Sequence, residues 1–313
     1  MPEWLIERGI GEVRTALIDE GRIVEARVLR EGVVPAGSIV AAKLVTAGRN
    51  AVAVADGVKY LLPKGAAGAT EGAKLAIEIT REAFDGSEPW KRPLARLSDE
   101  APSAAPEIDG RDLTFPGPGD ELGRAGWADL LDEARSGIIA FPGGELRVSL
   151  TPAMTLIDVD GTSAPVELAL AGAAAAAAAI QRHAVGGSIG IDFPTIGGKA
   201  IRQTVAEAVD AILPLPYERT AVNGFGFLQI VRPRRFASMF ELAAERAAFE
   251  ARALLRGAAR EVGAIRLAAN PAVIAVLSAR PEWIAQVSLQ VGGAVSLRAD
   301  PALGMAAGYA EPA

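Results

Sequence analysis

The stretch TLIDVDGTS places Asp158 and Asp160 on either side of Val159, inside an apolar run that ends on Gly161. Side chains two apart on a strand share a face, so a strand through Val159 projects both carboxylates together at its C-terminal end. SIGIDF repeats the pattern, with Asp192 following Ile189 and Ile191 and preceding the loop FPTIGG. If the two strands lie side by side, three carboxylates gather, and such a cluster is costly unless a cation offsets it. Mg²⁺ suits a site of this kind, because it takes oxygen ligands from one or two carboxylates, waters and a substrate phosphate; Mn²⁺ is the alternative. The chemistry this points to is phosphodiester cleavage by metal-activated water. The competing reading is local, since aspartate before glycine also serves as a turn or cap residue.

Elements that would position these acids can be read around them. IIAF and LRVSLT flank the turn Pro142-Gly143-Gly144 and read as strands leading into the first acidic strand. Ser163-Ala164-Pro165 then opens an alanine-rich helix that Gly186-Gly187 ends, so strand, helix and strand follow in βαβ order. Further helices are expected at about 199–213 and, as one long helix, at about 238–262, with a strand at GFLQIVR between them. Upstream, Val13 to Leu29 alternates around Asp19-Glu20-Gly21 as a β-hairpin. SIVAAKLVT, NAVAVA, VKYLLP and KLAIEIT read as strands of a five-stranded OB-type barrel. Ser98 to Gly119 is rich in proline, glycine and acid and reads as a linker or reduced loop.

Whole-chain quantities narrow the classes. The 313 residues exceed one ordinary domain. A net charge of -6 supplies no general basic field, so a polyanion must be met by a local patch. With no cysteine, disulfides, thiolate nucleophiles and cysteine zinc sites are excluded, which fits a reducing, cytoplasmic setting. The N-terminus lacks the pattern of a signal peptide. The longest apolar run, Leu168 to Ile180, is shorter than the roughly 20 residues of a membrane span, so no membrane partner is expected. His183 is the one histidine, which excludes a histidine cluster and leaves a helix-end role.

AMTLIDVDG, a helix and GGSIGIDF, followed by TAVNGFGFLQIVRPRR, resemble the ribonuclease E/G family in order and approximate spacing. FPGGELRVSLTPAMTLID is similar to the family's approach to its catalytic strand, and RLAANPAVIAVLSARPEWIAQVSLQVGGAVSLRADPAL to its small end domain. The resemblance covers most of the chain, the linker excepted. It implies an α+β multidomain fold, with an RNase H-like/DNase I-like α/β catalytic core, an inserted OB-type β-barrel and a small C-terminal αβ domain. In this chain those become an N-terminal hairpin of the core (1–36), the RNA-binding barrel (37–82), a linker or reduced sensor region (83–119), the catalytic core (120–236), and a long helix with the C-terminal domain (237–313).

The resemblance also implies a Mg²⁺-dependent endoribonuclease acting on single-stranded RNA in processing or decay. Asp158 and Asp192 match its metal-binding aspartates, and Asp160 stands where the family has an asparagine. Tyr60 matches an aromatic that stacks on a base. Lys59, Lys64, Lys91 and Arg92 are phosphate-contact candidates around the barrel, the last two near the family's basic loop at the active site. Arg232, Arg234 and Arg235 are the candidates for holding the RNA backbone. Without cysteines the family's zinc link between protomers is excluded, which leaves a homo-oligomer held by other contacts. The reduced sensor implies no dependence on a 5′-monophosphate. The alternative from another class is a non-catalytic RNA-binding protein that retains the fold.

Overall fold

A computed structural model describes residues 1–84, 91–117 and 119–313. The rest of the expected 83–119 linker, at 85–90 and 118, lies outside the described residues. Strands β1 (Glu3–Arg8), β2 (Glu12–Asp19) and β3 (Arg22–Arg30) come first. They are followed by β4 (Ile39–Thr46), β5 (Ala51–Ala55), β6 (Val58–Leu62), β7 (Lys74–Arg81) and β8 (Leu94–Ser98). Next are β9 (Arg111–Leu113), α1 (Glu121–Arg124) and α2 (Trp127–Ser136). The central part comprises β10 (Ile138–Phe141), β11 (Gly144–Leu150), β12 (Thr155–Gly161), α3 (Pro165–Arg182), β13 (Gly187–Asp192), α4 (Lys199–Asp210), β14 (Glu218–Arg219) and β15 (Phe227–Arg232). The last part comprises α5 (Met239–Ala244), α6 (Arg246–Ala258), β16 (Ile265–Ala269), α7 (Pro271–Ser278), α8 (Pro281–Val291), β17 (Val295–Ala299) and β18 (Tyr309–Pro312).

The chain divides into two compact units, one of residues 1–31, 110–131 and 241–313, the other of 32–109 and 132–240. The first unit contains a four-stranded sheet of order β3-β2-β1-β9 and a three-stranded sheet of order β17-β16-β18. Its hairpin turns where expected, with Glu20 and Gly21 both at positive φ (46° and 77°), the backbone a tight two-residue turn demands. The N-terminal hairpin thus pairs with β9 in a sheet separate from the one that carries the aspartates. A buried ion network crosses this unit: Glu7, 2% exposed, accepts from Arg14 at 2.6 Å and from Arg256 at 2.9 Å. Arg256 reaches on to Asp120 at 2.7 Å. Burial opposes ionisation of Asp120, but Arg256, the Gly123 N–H and Arg260 override it and hold the carboxyl down to about 2.

The second unit holds a closed five-stranded barrel of order β4-β5-β6-β8-β7 and a six-stranded sheet of order β10-β11-β12-β13-β15-β14. The fold is therefore mixed α/β with a closed barrel, as expected at that level. The barrel's fifth strand is Leu94–Ser98, so the barrel continues past residue 82 into the segment expected to be linker. The expected long helix near 238–262 is instead α5 and α6, separated at Glu245 (φ −80°, ψ 57°).

In the six-stranded sheet β12 and β13 are parallel and joined by α3, the connection a parallel pair requires. Helix α3 buries Ala169, Ala173, Ala176 and Ala177 completely on one face. Small residues let it approach the sheet closely: a Cβ at Gly172 would lie 3.2 Å from Val159 Cγ2 and closer still to Cγ1. With Val159 and Ile157 buried, the two-residue period sends Asp158 and Asp160 to the opposite, exposed face. Among the described residues no helix is long and apolar enough to cross a membrane.

Candidate active site

Register is the central fact of the site. Asp158 and Asp192 are direct partners across the parallel pair β12 and β13, so their Cα atoms sit on strands about 4.8 Å apart. Both side chains lie on the exposed face; Asp158 is mid-way along β12, whereas Asp192 closes β13 and the loop after it begins immediately. Asp160 lies one pleat farther along β12, opposite Glu145 of β11, and its Oδ1 accepts from the Gly161 N–H at 2.8 Å. Arg147 is the antiparallel partner of Asp158 and is itself paired with Glu145 at 2.6 Å.

Electrostatics follow from that crowding. Asp158 reaches solvent but loses part of its hydration, and this raises its carboxyl above the ordinary value; the charges of Asp192 and then Asp160 add to the rise. Arg147 and a backbone bond at Val159 oppose it without cancelling it. The pair is thus a place where positive charge is favoured. Its donors are all oxygen, adjacent and open to solvent, which fits a hard divalent cation that keeps several waters. Among the described residues no group of three or more His, Cys, Asp or Glu is arranged to hold a metal ion, so the geometry offers a pair with Asp160 beyond it rather than the expected triplet.

Beside Asp192 on the other side runs β15. Phe227 is its antiparallel partner, and Gly190 pairs with Gln229 in the same ladder. A Cβ at Gly190 would lie 2.9 Å from Phe227 Cε2 and 3.0 Å from Leu156 Cδ2, so the phenyl ring occupies the space glycine leaves. The preceding loop carries Phe225, which is 82% exposed. Neither phenylalanine was a candidate in the sequence reading.

The arginines lie at the other end of the sheet. Because β15 runs antiparallel to β13, Arg232 pairs with Gly187, five residues and about 16 Å from Asp192. Arg232 Nη1 donates to the Val185 carbonyl at 3.3 Å, where α3 turns into β13, which is a structural task. Arg234 packs beside Gly187 and places its guanidinium 4.2 Å from the centroid of the Phe84 ring. Arg235 is exposed, and its carbonyl accepts from the Glu82 N–H at 2.9 Å. Lys91 Nζ donates to the Pro152 carbonyl at 3.2 Å, ahead of the start of β12, while the exposed Arg92 offers its carbonyl to Arg81. Neither Arg232 to Arg235 nor Lys91 converges on the aspartates.

On the barrel, Lys59 and Lys64 are exposed, as phosphate contacts require. Tyr60 is different: it is 3% exposed in the barrel core, where burial, followed by the charge of Asp56, raises its hydroxyl above the ordinary value. A ring packed inside the barrel presents no face to a base, which corrects the expected stacking role. His183 ends α3 as its C-cap residue, fully buried, with Nε2 2.9 Å from Glu133 Oε2 and its ring 4.4 Å from that of Phe240. No protein-family model and no curated protein sequence matches this chain.

Proposed function

We propose that the chain is a metal-dependent endoribonuclease acting on single-stranded RNA, with Asp158 and Asp192 as the metal-holding pair and Mg²⁺ as the ion. The observation that carries this is the direct pairing of Asp158 with Asp192 across parallel strands, where β13 ends, with Asp158 destabilised as an anion by burial and then by the charges of Asp192 and Asp160. The resemblance of AMTLIDVDG and GGSIGIDF to the ribonuclease E/G strands supports the same reading. The barrel order β4-β5-β6-β8-β7 with β6 and β8 parallel agrees with an OB-type module, the class that binds single strands. An RNase H-like/DNase I-like assignment of the six-stranded sheet belongs to this proposal as well.

In this mechanism the bound ion supplies an acidified water and charge neutralisation at the scissile phosphate. The protein's part is positional. Asp158 and Asp192 would hold the ion, and both lie on the exposed face, open to water and to a phosphate. Arg147, the antiparallel partner of Asp158, lowers the negative potential that the phosphate must approach. Among the described residues the sole histidine is buried and packed on Phe240, so proton transfer falls to water and the carboxylates.

Fluorescent single-stranded RNA is incubated with the purified chain, with Mg²⁺ and with EDTA. Cleavage is expected only with Mg²⁺, and Asp158→Asn or Asp192→Asn is expected to lower it at least about 100-fold while RNA binding persists. Binding without Mg²⁺-dependent cleavage in the unaltered chain would favour the non-catalytic alternative.

A further inference from the structure

Phe225 combines an exposed side chain with a backbone held by several hydrogen bonds. Single exposed apolar residues are ordinary and need no explanation. Here, however, the backbone beneath the ring is fixed on every side. Asn223 Oδ1 accepts from the N–H of Phe225 at 2.9 Å and of Phe227 at 3.0 Å, and the Asn223 N–H donates to the Phe227 carbonyl at 2.9 Å. Thr195 Oγ1 donates to the Phe225 carbonyl at 3.4 Å. Phe193 donates its N–H to the Gly226 carbonyl at 3.1 Å. Gly226 sits at φ 96°, and a Cβ there would collide with the Phe193 carbonyl oxygen, so the approach of the two segments requires glycine.

Those bonds tie the loop to the residues that directly follow Asp192. Phe227 is the register partner of Asp192, and Phe225 lies two residues on, within about 7 Å of chain. An 82% exposed phenyl is therefore carried by a loop whose backbone is tied to the residues that follow Asp192. The barrel's Tyr60 ring is buried, and the arginines are at the far end of the sheet.

We infer that Phe225 is a positioning residue that stacks on an unpaired nucleobase flanking the phosphate held at Asp158 and Asp192. The inference rests on the ribonuclease reading for that phosphate. A stacked base next to the scissile bond fixes the strand's register over the carboxylates, and a phenyl face accepts any base, so the contact selects for unpaired RNA rather than for sequence. A base-paired strand cannot offer that face without unstacking. Loss of one aromatic platform is expected to weaken binding roughly 5- to 150-fold.

The test uses the full chain and a single-stranded RNA carrying 2-aminopurine, titrated in EDTA so that no cleavage occurs. Phe225→Ala is expected to weaken binding within that range and to remove the quenching of 2-aminopurine, with an unchanged melting temperature. Phe225→Tyr is expected to restore both, and Phe225→Leu, apolar without a π-face, to restore neither. Unchanged affinity in Phe225→Ala, or full rescue by Phe225→Leu, overturns the inference. So does a dimer that Phe225→Ala dissociates, because the ring then belongs to a contact between copies. Cleavage is scored separately in Mg²⁺. Phe225-dependent quenching without cleavage leaves stacking intact and removes the nuclease reading; cleavage with an unchanged KM in Phe225→Ala does the reverse. Absence of RNA binding by the unaltered chain removes both.

Discussion

Gly190 has no side chain, and the Phe227 ring uses that space one pleat before Asp192. Gly190→Ala places a methyl group 2.9 Å from Phe227 Cε2, so the ring has to move, at a cost of about 1 to 3 kcal/mol for overpacking. Urea unfolding is expected to show that loss, with Gly190→Ala restored toward the parent by Phe227→Leu. An additive double variant would mean the two sites do not touch. Asp160 poses the complementary question of charge. It raises Asp158 through its own negative charge, and it stands where the resembled family has asparagine. Asp160→Asn removes one negative charge beside the pair, so half-saturating Mg²⁺ is expected to rise several-fold while the cleavage rate at saturating Mg²⁺ is kept or increased. An unchanged Mg²⁺ titration would place Asp160 outside the field of the ion. The strands carrying these acids were legible, because IDV alternates buried and exposed with a period of two and SIGID sets its aspartate directly after an apolar run that is buried. Phe225 was not, since an aromatic between two glycines carries no sign of whether its loop is rigid or what lies next to it.

Helix α3 ends against the sheet on His183, and that end carries a pH dependence. Burial lowers the His183 pKa below its ordinary 6.5, against the opposing pull of Glu133, and Arg182 lowers it further. The folded state therefore holds the ring neutral while the unfolded chain gains a proton below about 6.5. Stability is fully present above that pH and falls as pH drops through 6.5 toward the lower folded value. Melting temperature between pH 8 and 5 is expected to decline in the parent and to decline less in His183→Gln; equal slopes would show that other groups carry the titration. At this scale the sequence was informative wherever periodicity was long. Alternation identified β11, β12, β13 and β15, and Pro165 together with Gly186-Gly187 framed α3. It was silent on β8, whose LARLS is only five residues long and does not alternate cleanly, and on β14, which has only two residues. The break at Glu245 has no proline or glycine to announce it, and nothing in the structure explains it.

Across the chain the net charge of -6 opposes capture of a polyanion, so an RNA contact must be local and sensitive to salt. Arg232, Arg234 and Arg235 were legible as a basic cluster for an RNA backbone, but their distance from Asp192 was not. Strand direction decides it: β15 runs antiparallel to β13, which puts Phe227 beside Asp192 and carries the arginines to the opposite end of the sheet. Direction is set by the connection through α4 and β14, and no composition or period in that stretch records it. The same layout separates two functions that can be measured apart. Arg235, exposed beyond the end of β15, can neutralise a phosphate of a bound strand but lies too far from Asp192 to touch the reacting one. In Arg235→Ala the slope of log affinity against log salt is expected to become shallower by roughly 0.7, the value of one phosphate contact on a single strand. Single-turnover cleavage of bound RNA is expected to stay within about twofold of the parent, since the chemical step gains nothing from a charge at that distance. Anisotropy titrations across a series of KCl concentrations and rapid-quench kinetics read the two quantities. A tenfold or larger fall in the single-turnover rate would show that Arg235 reaches the scissile phosphate, and the two ends of the sheet would then have to be bridged by one short stretch of RNA rather than by an extended strand.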